Sequence, residues 1–146
     1  MSVVVDTSVF VDTILEYDEH RTKMAEDLLE IIQNSSLEIV VPFLFKVELA
    51  GVLSRKLPRV NLIVKDIIED VRLISNPDDL AFEVAIKTGS RAADAYFIAT
   101  AKLTNSILIT NDRVMAKNAK KYGIEAYYLI EEFDKAVNRI KELQQL

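Results

Sequence analysis

Twenty-three aspartates and glutamates are spread along this chain, and most stand where water would want them, as at Glu131, Glu132, Asp134 and Glu142. Four do not. Asp6 ends the apolar run Val3-Val4-Val5, and Asp112 follows Ile107-Leu108-Ile109-Thr110, so both fall at the carboxyl ends of expected buried strands. In open α/β sheets the ligand crevice lies beyond those ends. Glu48 has Leu44, Phe45 and Val52 at helical spacing, and Asp94 has Phe97, Ile98 and Ala101, which predicts both on apolar helix faces. An ionised carboxylate turned toward a core is costly unless something compensates it. Two unit charges about 4 Å apart repel by roughly 4 kcal/mol at an effective dielectric of ~20. If the four converge, protons or a cation must hold them. Oxygen donors without His or Cys favour Mg2+ or Mn2+. Such an ion polarises a phosphoryl oxygen and activates water, which is the equipment of a phosphodiesterase. The plainer reading is that Asp6 and Asp112 cap helices, Asp94 complements a helix dipole and Glu48 pairs with a nearby cation. Thr7, Ser8, Thr110 and Asn111 flank the strand-end acids, either as hydrogen-bonding support for carboxylates or as turn formers.

The composition removes competing chemistries. Without Cys there is no disulfide scaffold, thiolate zinc site, iron–sulfur cluster or cysteine nucleophile. The one His sits in the polar stretch Tyr17-Asp18-Glu19-His20-Arg21, which argues against a hydrolase triad. Gly51, Gly89 and Gly123 are too scattered to write a dinucleotide-binding or P-loop motif. Arg113, Lys117, Lys120 and Lys121 share one expected helical face; they are either a weak RNA-binding stripe or a solvated face. The net charge of −5 argues against tight, indiscriminate nucleic-acid binding. The start lacks a basic leader, and the most apolar stretch, Val40 to Leu53, is broken by Lys46 and Glu48 and is shorter than the roughly 20 residues of a membrane span. The expectation is a soluble cytoplasmic protein with no membrane contact. Half the residues are hydrophobic, which suggests an interface patch on Asn61–Ile74 or Phe133–Leu146.

These side chains need elements to position them. The expected order is a strand at Val3–Val5, a helix after Asp6-Thr7-Ser8, a helix from His20 to Gln33, and a strand at Leu37–Val41. Pro42 is expected in the first turn of a helix that carries Glu48 and ends near Arg55 or Lys56. A helical stripe from Asn61 finishes as a short strand around Val71–Ile74. A helix follows from Pro77 to Lys87, then one from Arg91 to about Leu103 with Ser90 as its cap. Ile107–Thr110, Arg113–Tyr122 and Ala126–Leu129 read as strand, helix, strand, which implies parallel right-handed pairing. A last amphipathic helix sets Phe133, Val137, Ile140 and Leu143 on one side. The length suits one domain over residues 1–146, with a mostly parallel four- or five-stranded sheet and helices on both faces.

Asp6-Thr7-Ser8 after a first apolar strand, an inward Glu48, Asp94 within Arg91-Ala92-Ala93-Asp94-Ala95-Tyr96-Phe97-Ile98-Ala99, and Thr110-Asn111-Asp112-Arg113 together resemble the PIN domain. More narrowly the chain looks like the single-domain VapC-type toxin ribonucleases of toxin–antitoxin pairs. The likeness spans almost the whole chain, and the order and spacing of four acids make it fairly specific. It implies a three-layer α/β/α sandwich, Mg2+- or Mn2+-dependent cleavage of RNA, a homodimer, and a small antitoxin protein as partner. Asp6, Glu48, Asp94 and Asp112 match the family's acidic set, and Ser8 and Thr110 its usual hydroxyl neighbours. Met115 stands where many relatives have Phe. A PIN-type nuclease of RNA processing and a catalytically silent binding module remain as alternatives. A phosphoacceptor receiver domain would want an acidic pair after the first strand and a Lys directly after a late strand; here only Asp6 follows the first strand, and no Lys directly follows the strand ending near Leu129.

Overall fold

The computed structural model describes residues 1–146. Val3, Val4 and Val5 are fully buried, as a β-branched run between two helical layers must be. They form β1 (Ser2–Val5), followed by α1 (Thr7–Leu15), α2 (Glu19–Gln33), β2 (Glu38–Pro42), α3 (Leu44–Ser54), α4 (Val60–Glu69) and β3 (Arg72–Ile74). Then come α5 (Asp78–Thr88), α6 (Ala92–Thr104), β4 (Ile107–Thr110), α7 (Arg113–Tyr122), β5 (Ala126–Tyr128) and α8 (Leu129–Gln144). The five strands are all parallel in the order β3-β2-β1-β4-β5. Helices α1–α4 and α8 pack together on one face, and α5–α7 on the other. This is the expected α/β/α sandwich. The strand order reverses between β1 and β4, so the crevice at their carboxyl ends is the natural ligand position.

Phe10 of α1 meets Phe45 of α3 edge to face, ring centroids 5.1 Å apart. Both belong to one cluster of 35 buried apolar residues. That contact locks α1 against α3 and sets the distance between Thr7 and Glu48.

Three local expectations change. Pro42 is not in a helix; it is the last residue of β2, opposite Ile74, and α3 starts at Leu44. β1 pairs with β2 only at Glu38 and Ile39, so Pro42 lies where no neighbour needs its missing N–H, and Phe43 N–H bonds the Ile74 carbonyl at 2.9 Å. Ser90 does not cap α6, whose N-cap residue is Arg91; its hydroxyl pairs with Thr88 instead. The apolar side of α8 is not an open patch, because Val137, Ile140 and Leu143 are buried and α8 packs on α2. The most exposed apolar pair on neighbouring helical turns is Phe82 and Ile86 of α5.

Candidate active site

The cleft beyond β1 and β4 is lined by Asp6, Glu48, Asp94 and Asp112, together with Thr7, Ser8, Asp12, Tyr17, Arg21, Arg91 and Met115, around a cavity of about 480 Å³. Segments up to about a hundred residues apart in the chain therefore meet at one place. Asp6 leaves the end of β1, and its backbone N–H still bonds the Ile109 carbonyl of β4 at 3.1 Å. It occupies the N-cap position of α1 without capping it. Its Oδ1 accepts a 2.6 Å hydrogen bond from Ser8 Oγ instead. With only 3% of its surface exposed, burial lifts the carboxyl to about 7, against hydrogen bonds from Ser8 and Thr110; the Glu48 charge adds to the rise.

Asp94 sits in the first turn of α6 and faces inward, as Phe97, Ile98 and Ala101 at 0–1% exposure require. Burial, then the Asp112 charge, push it to about 6, while Arg91 pulls it down and Glu48 pushes it up. Its Oδ2 is buried and has no hydrogen-bond partner. Glu48 is half-buried, on the flank of α3 rather than its core face, which is Phe45, Leu49 and Leu53. Thr7 Oγ1 donates to Glu48 Oε1 at 2.5 Å. Asp112 does cap its helix: Oδ1 accepts from the backbone N–H of Val114 and Met115, and Oδ2 is left to face Arg91 at 3.7 Å.

Arg91 was not legible beforehand. Its guanidinium lies between Asp112 and Asp94, 4.0 Å from Asp94 Oδ2, with 79% of its side chain in solvent. A cation three residues before an inward acid, across a helix start, was the signal that could have found it. Ser8 and Thr110 lie among the strand-end acids, and Thr110 Oγ1 accepts from the Asp112 N–H at 2.9 Å. Asn111 instead reaches Asp12. The basic residues after Asp112 lie outside the cleft wall: Arg113 and Lys120 are tied to Glu131 and Glu132 of α8, and Lys117 and Lys121 are exposed. As the side chains stand, no three acids are gathered tightly enough to cage an ion.

A family model for the PIN domain matches residues 3–121. The chain belongs to the PIN domain family. Among solved structures, this PIN domain is similar to PAE2754 from Pyrobaculum aerophilum (20% identity, TM-score 0.62, covering 97% of this chain and 99% of that one). It is also similar to a chain of a toxin–antitoxin complex from Klebsiella pneumoniae (16% identity, TM-score 0.59, covering 75% of this chain and 86% of that one). Both likenesses are of fold. Comparison with curated protein sequences gives no match. No helix of this PIN domain is long and apolar enough to cross a membrane.

Proposed function

We propose that this PIN domain is an endoribonuclease that uses Mg2+ or Mn2+ to hydrolyse RNA phosphodiester bonds. One observation carries the reading: four carboxylates from separate segments line one cleft, and one of their oxygens, Asp94 Oδ2, is buried with no hydrogen-bond partner. A buried acceptor without a hydrogen bond, beside three other acids, fits a hard divalent ion. Asp6, Asp94 and Asp112 would hold it, with Glu48 completing the set directly or through water. When bound, the ion supplies Lewis acidity and offsets the repulsion among the acids.

The chain's own groups do the rest. Glu48, its Oε1 fixed by Thr7, orients the attacking water with the other oxygen. The proton that water gives up passes to bulk solvent. Arg91 meets a non-bridging phosphate oxygen as the P–O bond breaks, and the leaving hydroxyl takes its proton from solvent. The likeness to a chain of a toxin–antitoxin complex supports a toxin role with a small protein antitoxin. The exposed pair Phe82 and Ile86 supports self-association into a dimer. The test is cleavage of RNA with Mn2+ or Mg2+ and none in EDTA; full cleavage by Asp6→Asn would count against it.

A silent binding module is the second reading. The observation that favours it is that no three acids form a ready-made cage. Absence of any Mn2+ binding would select it.

A further inference from the structure

The cleft does not stop at the carboxylates. Its wall continues over Asp12, Tyr17 and Arg21, which the hydrolytic reading does not use. Asp12 is 6% exposed, and its Oδ2 accepts from Arg21 Nη2 at 3.0 Å and from Asn111 Nδ2 at 2.6 Å. Asn111 is also buried, with its Oδ1 unpartnered. Its backbone N–H donates at 2.9 Å to Ser8 Oγ, which donates at 2.6 Å to Asp6. An unbroken run of hydrogen bonds thus joins the reacting centre to the Arg21 guanidinium and fixes its position. Arg21 keeps 40% of its side chain in solvent, so it retains N–H groups for a ligand.

Tyr17 is held out from the surface. Glu16, in left-handed backbone at φ 51, ends α1, and Asp18 starts α2 by accepting from the N–H groups of His20 and Arg21. Between them Tyr17 is 66% exposed. A fixed guanidinium suits a phosphate, and an exposed ring suits the face of any base. An acidic peptide would satisfy Arg21 alone. A duplex hides its base faces, so the ligand that uses both groups is single-stranded.

We propose that Tyr17 and Arg21 form a nucleotide subsite for single-stranded RNA, Arg21 taking a phosphate next to the scissile one and Tyr17 stacking on a base. This rests on the nuclease reading for its choice of RNA. The experiment is fluorescence anisotropy of a labelled single-stranded oligoribonucleotide in EDTA, where nothing is cut, with the wild type, Tyr17→Ala, Tyr17→Phe and Arg21→Gln. Tyr17→Ala weakens binding at least about fivefold, as loss of one base–aromatic stack does, and Tyr17→Phe restores it. Arg21→Gln weakens binding and lowers the salt slope by roughly 0.7. With Mn2+, both Tyr17→Ala and Arg21→Gln raise KM and leave kcat within about twofold. Tyr17 is exposed, so its variants decide the matter even if Arg21→Gln fails to fold.

Unchanged RNA affinity in Tyr17→Ala overturns the subsite, including the case where that variant loses a protein partner instead. A wild type that binds no RNA overturns it too. Mn2+-dependent cleavage with an unchanged KM in both variants removes the subsite and keeps the nuclease. RNA affinity that depends on Tyr17 without any cleavage supports the subsite and removes the nuclease.

Discussion

Asp112 divides its two oxygens between two tasks, one capping α7 and the other facing Arg91 and the cleft. The tasks separate by substitution, since Asn caps a helix as well as Asp does but carries no charge. Asp112→Asn is expected to keep the thermal stability of the wild type and lose RNA cleavage. Asp112→Ala loses cleavage and about 1 kcal/mol besides, read from denaturant unfolding. Asp6 makes a pH prediction. Its folded-state value of about 7 lies above the ordinary 3.8, so the stability it lends is full below about 3.8 and is lost as pH rises toward 7. Asp6→Asn, which cannot ionise, should therefore gain on the metal-free wild type across that window, with a melting temperature roughly 5–10 °C higher at pH 8. No gain at pH 8 would mean that the carboxylate is not stressed. The strand-end acids and inward Asp94 were legible because a charge beside an apolar run is an anomaly that sequence displays. Asp12, Tyr17, Arg21 and Arg91 were not. Asp12 and Arg91 look like ordinary surface residues until partners distant in the chain, Asn111 and Asp112, are beside them, and nothing in the local sequence marks Tyr17 or Arg21 as cleft residues.

Elements repeat the lesson at a larger scale. The segment β4-α7-β5 matched its expected bounds almost throughout, because an apolar strand, a cap at Asp112 and a left-handed Gly123 at φ 94 all signal locally. Pro42 misled because the fact that makes it harmless in a strand is non-local: β1 has already ended where its N–H would have been needed. The glycines give a paired prediction. A Cβ would meet nothing within 4 Å at Gly51 or at Gly123, so only backbone preference decides. Gly51→Ala, inside α3, should stabilise by about 0.5–1 kcal/mol, and Gly123→Ala should destabilise by about 1 kcal/mol, both read from urea midpoints at constant slope. Equal shifts would show that packing, not backbone, governs these sites.

The whole molecule carries net charge −5, and its cleft brings four acids together, so RNA must approach against the field. Arg21 and Arg91 are the cations on the cleft wall, which limits how many phosphates it neutralises. The salt slope of RNA binding should be no steeper than roughly −2, far shallower than that of a basic nucleic-acid-binding domain. Charge reversal at exposed Lys117 and Lys121, off the cleft wall, tests the remaining stripe. It should slow association only modestly, and the effect should vanish at high salt. Everything in the hydrolytic account depends on a divalent ion being held where Asp94 Oδ2 lies buried without a hydrogen bond. The most direct test is calorimetric titration of Mn2+ into wild type and Asp94→Asn at pH 7.5, with folding of both checked by circular dichroism. The account predicts binding by the wild type and at least a tenfold weaker affinity in the variant. Equal affinity in the two, or no binding by the wild type, would contradict it.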